Sequence, residues 1–254
     1  MVRAVIFDMD DTLIDWSGRT GEWVDVLKVH LRPIYERLDA EGHILPSIDW
    51  LAYTYSEQAR IAWDQAVPPE LTAPRQVDIL RNALIALGLE EGQFDAAALQ
   101  QIFAWDVMPG LRPFPDAEFV LRTLRNSGLR TGVLTNSSMP SWMREIELRA
   151  FGLLDLLDVC MTAGDAGRLK PHPDPFRLVA ERLGATAQET VFVGDRLRDD
   201  VAGAQAAGML TVWVRRPSSM DADEIIPHAT IDNLTDLLDK LDDLSPGWRH
   251  NHDN

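Results

Sequence analysis

The chain has 254 residues, 46% of them hydrophobic and 25% charged, with 40 acidic residues against 24 lysines and arginines and a formal net charge of −16. That length can bury a substantial core, and the composition lies far from the disordered and membrane-spanning ranges. An acidic balance of this size argues against nucleic acid and anionic membranes as partners, because both need a basic surface.

Cys160 is the only cysteine, so no intramolecular disulfide can form, and its neighbours Leu156, Leu157, Val159 and Met161 mark it as a small core residue. The sequence shows no basic leader, cleavage site or apolar run of transmembrane length, and a cytoplasmic location is the expectation.

Val2 to Phe7 reads as a short strand buried on both faces, stopped by the polar cluster Asp8-Met9-Asp10-Asp11-Thr12. The stretch from Trp16 to Val107 then changes character. It has helical periodicity without alternating strands and holds five of the eight tryptophans. Helices are expected near Gly21–Leu38, Ile48–Ala66, Pro74–Leu87 and Asp95–Phe103, enough for a small bundle. Its aromatic residues Trp23, Trp50, Tyr53, Tyr55, Trp63 and Trp105 read as bundle core.

Beyond it, short apolar strands at Thr131–Leu134, Val191–Val193 and Thr211–Val214 alternate with helical patterns at Ala117–Asn126, Phe176–Leu183 and Val201–Ala207. Gly128, Gly184 and Gly208 follow those helices where a left-handed residue is wanted, and Asp174-Pro175 offers an N-cap and a first-turn proline. Such alternation implies an α/β fold, a doubly wound parallel sheet wrapped by helices. The expected division is a Rossmann-like core over 1–15 and 108–245, a helical insert over 16–107 and a flexible tail over 246–254, with Trp248 the one residue able to anchor the tail. His250 and His252 are spaced like a metal pair, but a solvated terminus explains them more simply.

Polar chemistry gathers where the strands end. Asp8 and Asp10, two apart after a strand, project to the same side, into the crevice where open α/β sheets bind ligands. Thr135, Asn136, Ser137 and Ser138 bring hydroxyl, amide and backbone donors that suit a phosphate, although ordinary capping ahead of Pro140 would read the same way. In Lys170-Pro171-His172-Pro173 the prolines restrict the backbone and fix the direction of Lys170, a group able to neutralise a phosphoryl anion. Val191 to Gly194 leads into Asp195, with Asp199 and Asp200 following.

Phe7-Asp8-Met9-Asp10-Asp11-Thr12-Leu13, Thr135-Asn136, Lys170-Pro171 and Gly194-Asp195 with Asp200 resemble, in order and spacing, the four motifs of the haloacid dehalogenase-like (HAD) superfamily. The insert is similar to that superfamily's C1-type cap. The resemblance implies a hydrolase that cleaves a small phosphate monoester, with Asp8 as nucleophile and Asp10 as leaving-group acid. Thr135 and Lys170 would act on the phosphoryl group, and Mg2+ would be held by Asp8, Asp10 (through its carbonyl), Asp195 and Asp200, with Asp199 the alternative to Asp200. Asn136 and the loop residues Trp16 and Arg19 are the expected substrate contacts. Asp11 stands where many relatives carry glycine, and Arg196, where many carry serine, reads as a local ion pair. A phosphotransferase or phosphomutase would share all four motifs, and a non-catalytic binding descendant is the remaining alternative. An acid at Asp10 disfavours dehalogenation, and a single lysine in the insert, Lys28, disfavours a Schiff-base phosphonatase.

Overall fold

The computed structural model describes residues 1–217 and 224–250, the last without its side chain, so His252 and the side chain of His250, the histidine pair of the tail, lie outside what is described. Strand β1 (Ala4–Phe7) opens the fold with four buried residues. Alternation sends Val5 and Phe7 into one apolar cluster and Ala4 and Ile6 into another, which is why the run is uninterrupted rather than alternating.

A two-residue strand, β2 (Ile14–Asp15), pairs antiparallel with β3 (Arg112–Pro113), and between them lie α1 (Trp23–Ala40), α2 (Ile48–Asp64), α3 (Gln76–Ala86) and α4 (Ala96–Gln101). The ribbon is thus the place where the chain leaves and rejoins the sheet. Gly18 and Gly110 cross so closely beside it that a Cβ on Gly110 would sit 1.9 Å from the Gly18 carbonyl oxygen, and Gly110 has a φ of +90°.

The chain continues through α5 (Ala117–Asn126), β4 (Arg130–Thr135), α6 (Ser141–Ala150), β5 (Val159–Thr162), α7 (Ala163–Ala166), α8 (Pro173–Arg182) and β6 (Thr190–Gly194). A π-helical turn over Leu197–Ala202 leads into α9 (Gly203–Ala207), and β7 (Leu210–Val214), β8 (Ala229–Ile231) and α10 (Asp236–Leu244) complete the core. The six long strands run in the order β5-β4-β1-β6-β7-β8 and all pair parallel. Helices α5, α6 and α10 pack on the face that takes Val5 and Phe7, while α8 and α9 cover the face of Ala4 and Ile6. This is the doubly wound, Rossmann-like sheet that the alternation implied, with β1 at its centre.

Most helix limits shift by one to three residues, and two differences have a clear physical cause. Helix α8 starts earlier than the Asp174-Pro175 pair suggested: His172 is its N-cap, its Nδ1 accepting from the Asp174 amide at 3.2 Å, and Pro173 occupies the first turn. The segment expected to fray from residue 246 is tied down at Trp248, which is fully buried and donates from Nε1 to Asp242 at 2.7 Å. An indole with its own acceptor outweighs the polar residues around it.

Candidate active site

The crevice lies at the carboxyl ends of β1, β4 and β6, where the central strands of a doubly wound sheet diverge. Asp8 follows β1 directly and is buried, its amide donating to Val193 of the neighbouring strand at 2.8 Å. Lys170 is buried opposite. Its Nζ donates to Asp8 Oδ1 at 2.5 Å and to Asp200 Oδ1 at 2.7 Å, so one ammonium joins residues 162 and 30 positions away.

The loop bearing Lys170 is aimed by Asn136: the Asn136 amide donates to the Lys170 carbonyl at 3.0 Å and its oxygen accepts from the Lys170 N–H at 2.9 Å. Both ends of that amide are therefore engaged with the chain. Asn136 lines the crevice, the position expected of a substrate contact, and it also orients Lys170.

Asp200 sits on the π-helical turn, whose extra residue per turn redirects a side chain out of the regular helical ladder. Its Oδ2 accepts from the Arg196 N–H at 2.9 Å. A Cβ on Gly194 would lie 2.3 Å from that same oxygen, so the Gly-Asp pair is a packing requirement as much as a motif. Asp8, Asp195 and Asp200 bring carboxylate oxygens within 4.8 Å of one another. Asp199 instead faces the crevice wall with its carboxylate 3.7 Å from the Arg196 guanidinium, which settles which of the adjacent aspartates joins the cluster.

Burial raises the pKa of Asp8 well above the ordinary carboxylate range, as do the charges of Asp200, Asp195 and Asp10, while Lys170 opposes them. Asp195 is pushed up to about 7, first by burial and then by Asp200. Burial alone would lower Lys170, but Asp200 and Asp8 beside it more than reverse this and hold it charged.

The donor set fits a hard divalent cation. The clustered groups are oxygens, Lys170 bonds to two of the three carboxylates, and Asp195 Oδ1 is buried with no hydrogen-bond partner. The Asp10 side chain is not one of the clustered groups, in keeping with an expectation that invoked only its carbonyl.

Asp10 is half-buried and lines the crevice, with Thr135 Oγ1 3.5 Å from its Oδ2. Its Oδ1 accepts from Trp16 Nε1 at 2.7 Å and from an Arg144 guanidinium nitrogen at 2.5 Å. Trp16, expected to touch substrate, is therefore turned onto Asp10, and neither it nor Arg19 is among the residues lining the crevice. Their loop is drawn towards β3 by the pair Asp15–Arg112 at 3.0 Å and by the Gly18–Gly110 crossing. Asp11 has a φ of 59°, in the left-handed region that favours glycine, and its Oδ1 accepts from the Trp16 N–H at 3.2 Å.

The cavity is about 410 Å³ in volume, and Trp63, Ala66 and Leu71 supply the wall contributed by the helical insert. Trp63 was expected in the bundle core; it faces the crevice instead. Trp50 and Tyr53, also expected there, are 59% and 51% exposed, whereas Tyr55 and Trp105 are buried as read. Leu71 is held in place because its carbonyl accepts from the Leu169 amide at 2.8 Å, beside Lys170.

A family model described as haloacid dehalogenase-like hydrolase matches residues 2–208. The chain is 30% identical to a glyceraldehyde 3-phosphate phosphatase of Methanopyrus kandleri, over 96% of this chain and 99% of that one. It is 29% identical to a phosphoglycolate phosphatase of Shigella sonnei, covering 94% and 92%. A crystal structure of a HAD phosphatase from Thermococcus onnurineus superposes with a TM-score of 0.58 at 28% identity, covering 94% of this chain and 98% of that one. The chain belongs to the haloacid dehalogenase-like hydrolases and is an enzyme of that family.

Among the described residues no helix is long and apolar enough to cross a membrane. Sequence reading missed Arg144, whose place in an ordinary amphipathic helix pattern gives no sign that it reaches residues 9 and 10. Cys160, expected in the core, is half-buried and packs against it, and desolvation pushes its thiol up to about 12, away from a reactive thiolate.

Proposed function

We propose that the enzyme is a Mg2+-dependent phosphatase that cleaves a small phosphate monoester through an aspartyl-phosphate on Asp8. The observation that carries this reading is the Lys170 ammonium bridging Asp8 and Asp200, with Asp195 completing the carboxylate cluster and Asp10 on the adjoining loop. In the first half-reaction an Asp8 oxygen attacks phosphorus and the ester P–O bond breaks, with Asp10 giving a proton to the departing oxygen. In the second, Asp10 takes a proton from water as that water attacks the phosphorus of phospho-Asp8, releasing phosphate and restoring the carboxylate.

Asp8, the Asp10 carbonyl, Asp195 and Asp200 would hold Mg2+, which supplies charge neutralisation between carboxylates and phosphate. Thr135 and Lys170 bind phosphoryl oxygens, and Lys170 also fixes Asp8. The four helices between β2 and β3 act as a cap over the crevice, with Trp63, Ala66 and Leu71 as its lining. The names of the two relatives, a glyceraldehyde 3-phosphate phosphatase and a phosphoglycolate phosphatase, support a small phosphorylated metabolite as substrate.

The test is phosphate release from p-nitrophenyl phosphate and a panel of small phosphate esters, with and without Mg2+, by wild type and Asp8→Asn. Metal-dependent release lost in the variant supports the proposal. Absence of release from every ester, or full activity in Asp8→Asn, overturns it. Transfer to an added alcohol instead of water would identify a phosphotransferase.

A further inference from the structure

Asp10 must offer one oxygen to a leaving group, and the structure holds its other oxygen with two donors. Arg144 on α6 is 4% exposed, and its guanidinium reaches Asp10 Oδ1 at 2.5 Å while lying 3.4 Å from Met9 Sδ. Trp16 Nε1 meets the same oxygen at 2.7 Å from the opposite chain segment. Behind Arg144 stands Glu147, fully buried, with Oε2 2.8 Å from Arg144 Nε in an ion pair that lacks an aligned hydrogen bond.

Burying an arginine and a glutamate beneath a strand end carries a desolvation cost that well-packed apolar residues would avoid. The arrangement gives a specific return in geometry. With Oδ1 occupied twice, Oδ2 is left on the crevice side, 3.5 Å from Thr135 Oγ1, where the phosphoryl group is expected.

We propose that Arg144, backed by Glu147, is a positioning residue that clamps Asp10 Oδ1 so that Oδ2 delivers the proton to the leaving oxygen. The proposal rests on the assignment of Asp10 as leaving-group acid. In that step Asp8 forms a bond to phosphorus, the P–O bond to the alcohol breaks, the electron pair stays on the alcohol oxygen, and the Oδ2 proton moves to it.

A leaving group that is stable as an anion does not need the proton. The experiment therefore compares kcat/KM for the best alkyl phosphate of the panel with that for 2,4-dinitrophenyl phosphate, in wild type, Asp10→Asn, Arg144→Met and Arg144→Lys. This parameter reports phosphoryl transfer to Asp8 and not the later hydrolysis. The ratio is measured within one preparation, so a reduced folded fraction cancels.

Arg144→Met is expected to lose about 10²-fold on the alkyl ester and less than about threefold on the dinitrophenyl ester, within the range of general acid catalysis. Arg144→Lys, which keeps a charge against Glu147 without the planar fork, should fall between Arg144→Met and wild type. Equal losses on both esters in Arg144→Met, while Asp10→Asn discriminates between them, would overturn the positioning role alone. A failure of Asp10→Asn to discriminate would remove the acid assignment and this proposal with it.

Discussion

The crevice has two walls of opposite character. On the sheet side, Asp8, Asp10, Thr135 and Asp199 lie at strand ends and in the turns that follow, joined by Lys170 from the loop between α7 and α8; on the insert side, Trp63, Ala66 and Leu71 present a mainly apolar surface. Parallel strands share backbone hydrogen bonds and cannot shift separately, so the polar wall is a rigid frame for charge. The apolar wall hangs on helix α2 and a loop, joined to the sheet side through the Leu169–Leu71 hydrogen bond. On the proposed function, chemistry and substrate choice fall to different parts of the chain, and substitutions in the two walls should fail in different ways.

The largest effect is expected from Asp8→Asn, which removes the proposed nucleophile and should lower kcat by at least about 10⁴-fold on every ester. Lys170→Met comes next, with a loss of about 10²- to 10³-fold in kcat, the scale of one electrostatic contact to a transferring group. Steady-state kinetics with saturating Mg2+ checks both. If Lys170→Met changed only KM, the separation of the two walls would be broken from the polar side.

Trp63→Ala should behave in the opposite manner. Loss of one aromatic wall is expected to raise KM for the preferred ester about tenfold, near 1.4 kcal/mol, and to leave kcat within about threefold. A kcat loss as large as that of Lys170→Met would place Trp63 in the reaction and not in substrate selection.

A separate effect concerns stability, at the buried pair behind Asp10. Burial raises Glu147 from 4.5 to about 7, against the pull of Arg144. A carboxyl that holds its proton more firmly when folded contributes stability that is fully present below pH 4.5 and lost as pH rises through about 7. Denaturant unfolding at pH 5 and pH 8 should therefore show Glu147→Gln gaining on wild type as pH rises, by at most about 3 kcal/mol. A difference that stayed constant, or shrank, would contradict the account of this buried pair.

Much of the polar wall was legible because its residues follow apolar runs directly. Ala4 to Phe7 and Val191 to Val193 announce buried strands, and an aspartate at the end of each has few places to go except the crevice. The insert was legible as helices, since 3.6-residue periodicity survives without a partner in view. Strands β5 and β8 were not, because three or four residues carry too little periodicity to stand out from a loop. Helix α10 also went unread, although Leu237, Leu238 and Leu241 bury one side of it.

The direction of individual side chains was harder still. Trp16 turns onto Asp10 and Trp63 onto the crevice, directions that neither residue's local pattern carries. Arg144 lies 134 residues from Asp10, and no local pattern ties an arginine on α6 to a strand on the other side of the insert.

The most direct test of the central claim is to quench a single turnover of a ³²P-labelled ester with acid and map the label by proteolysis. The account predicts a hydroxylamine-labile label on the peptide containing Asp8, absent from Asp8→Asn. Phosphate release at the wild-type rate with no label on Asp8, or with label on another residue, would contradict it.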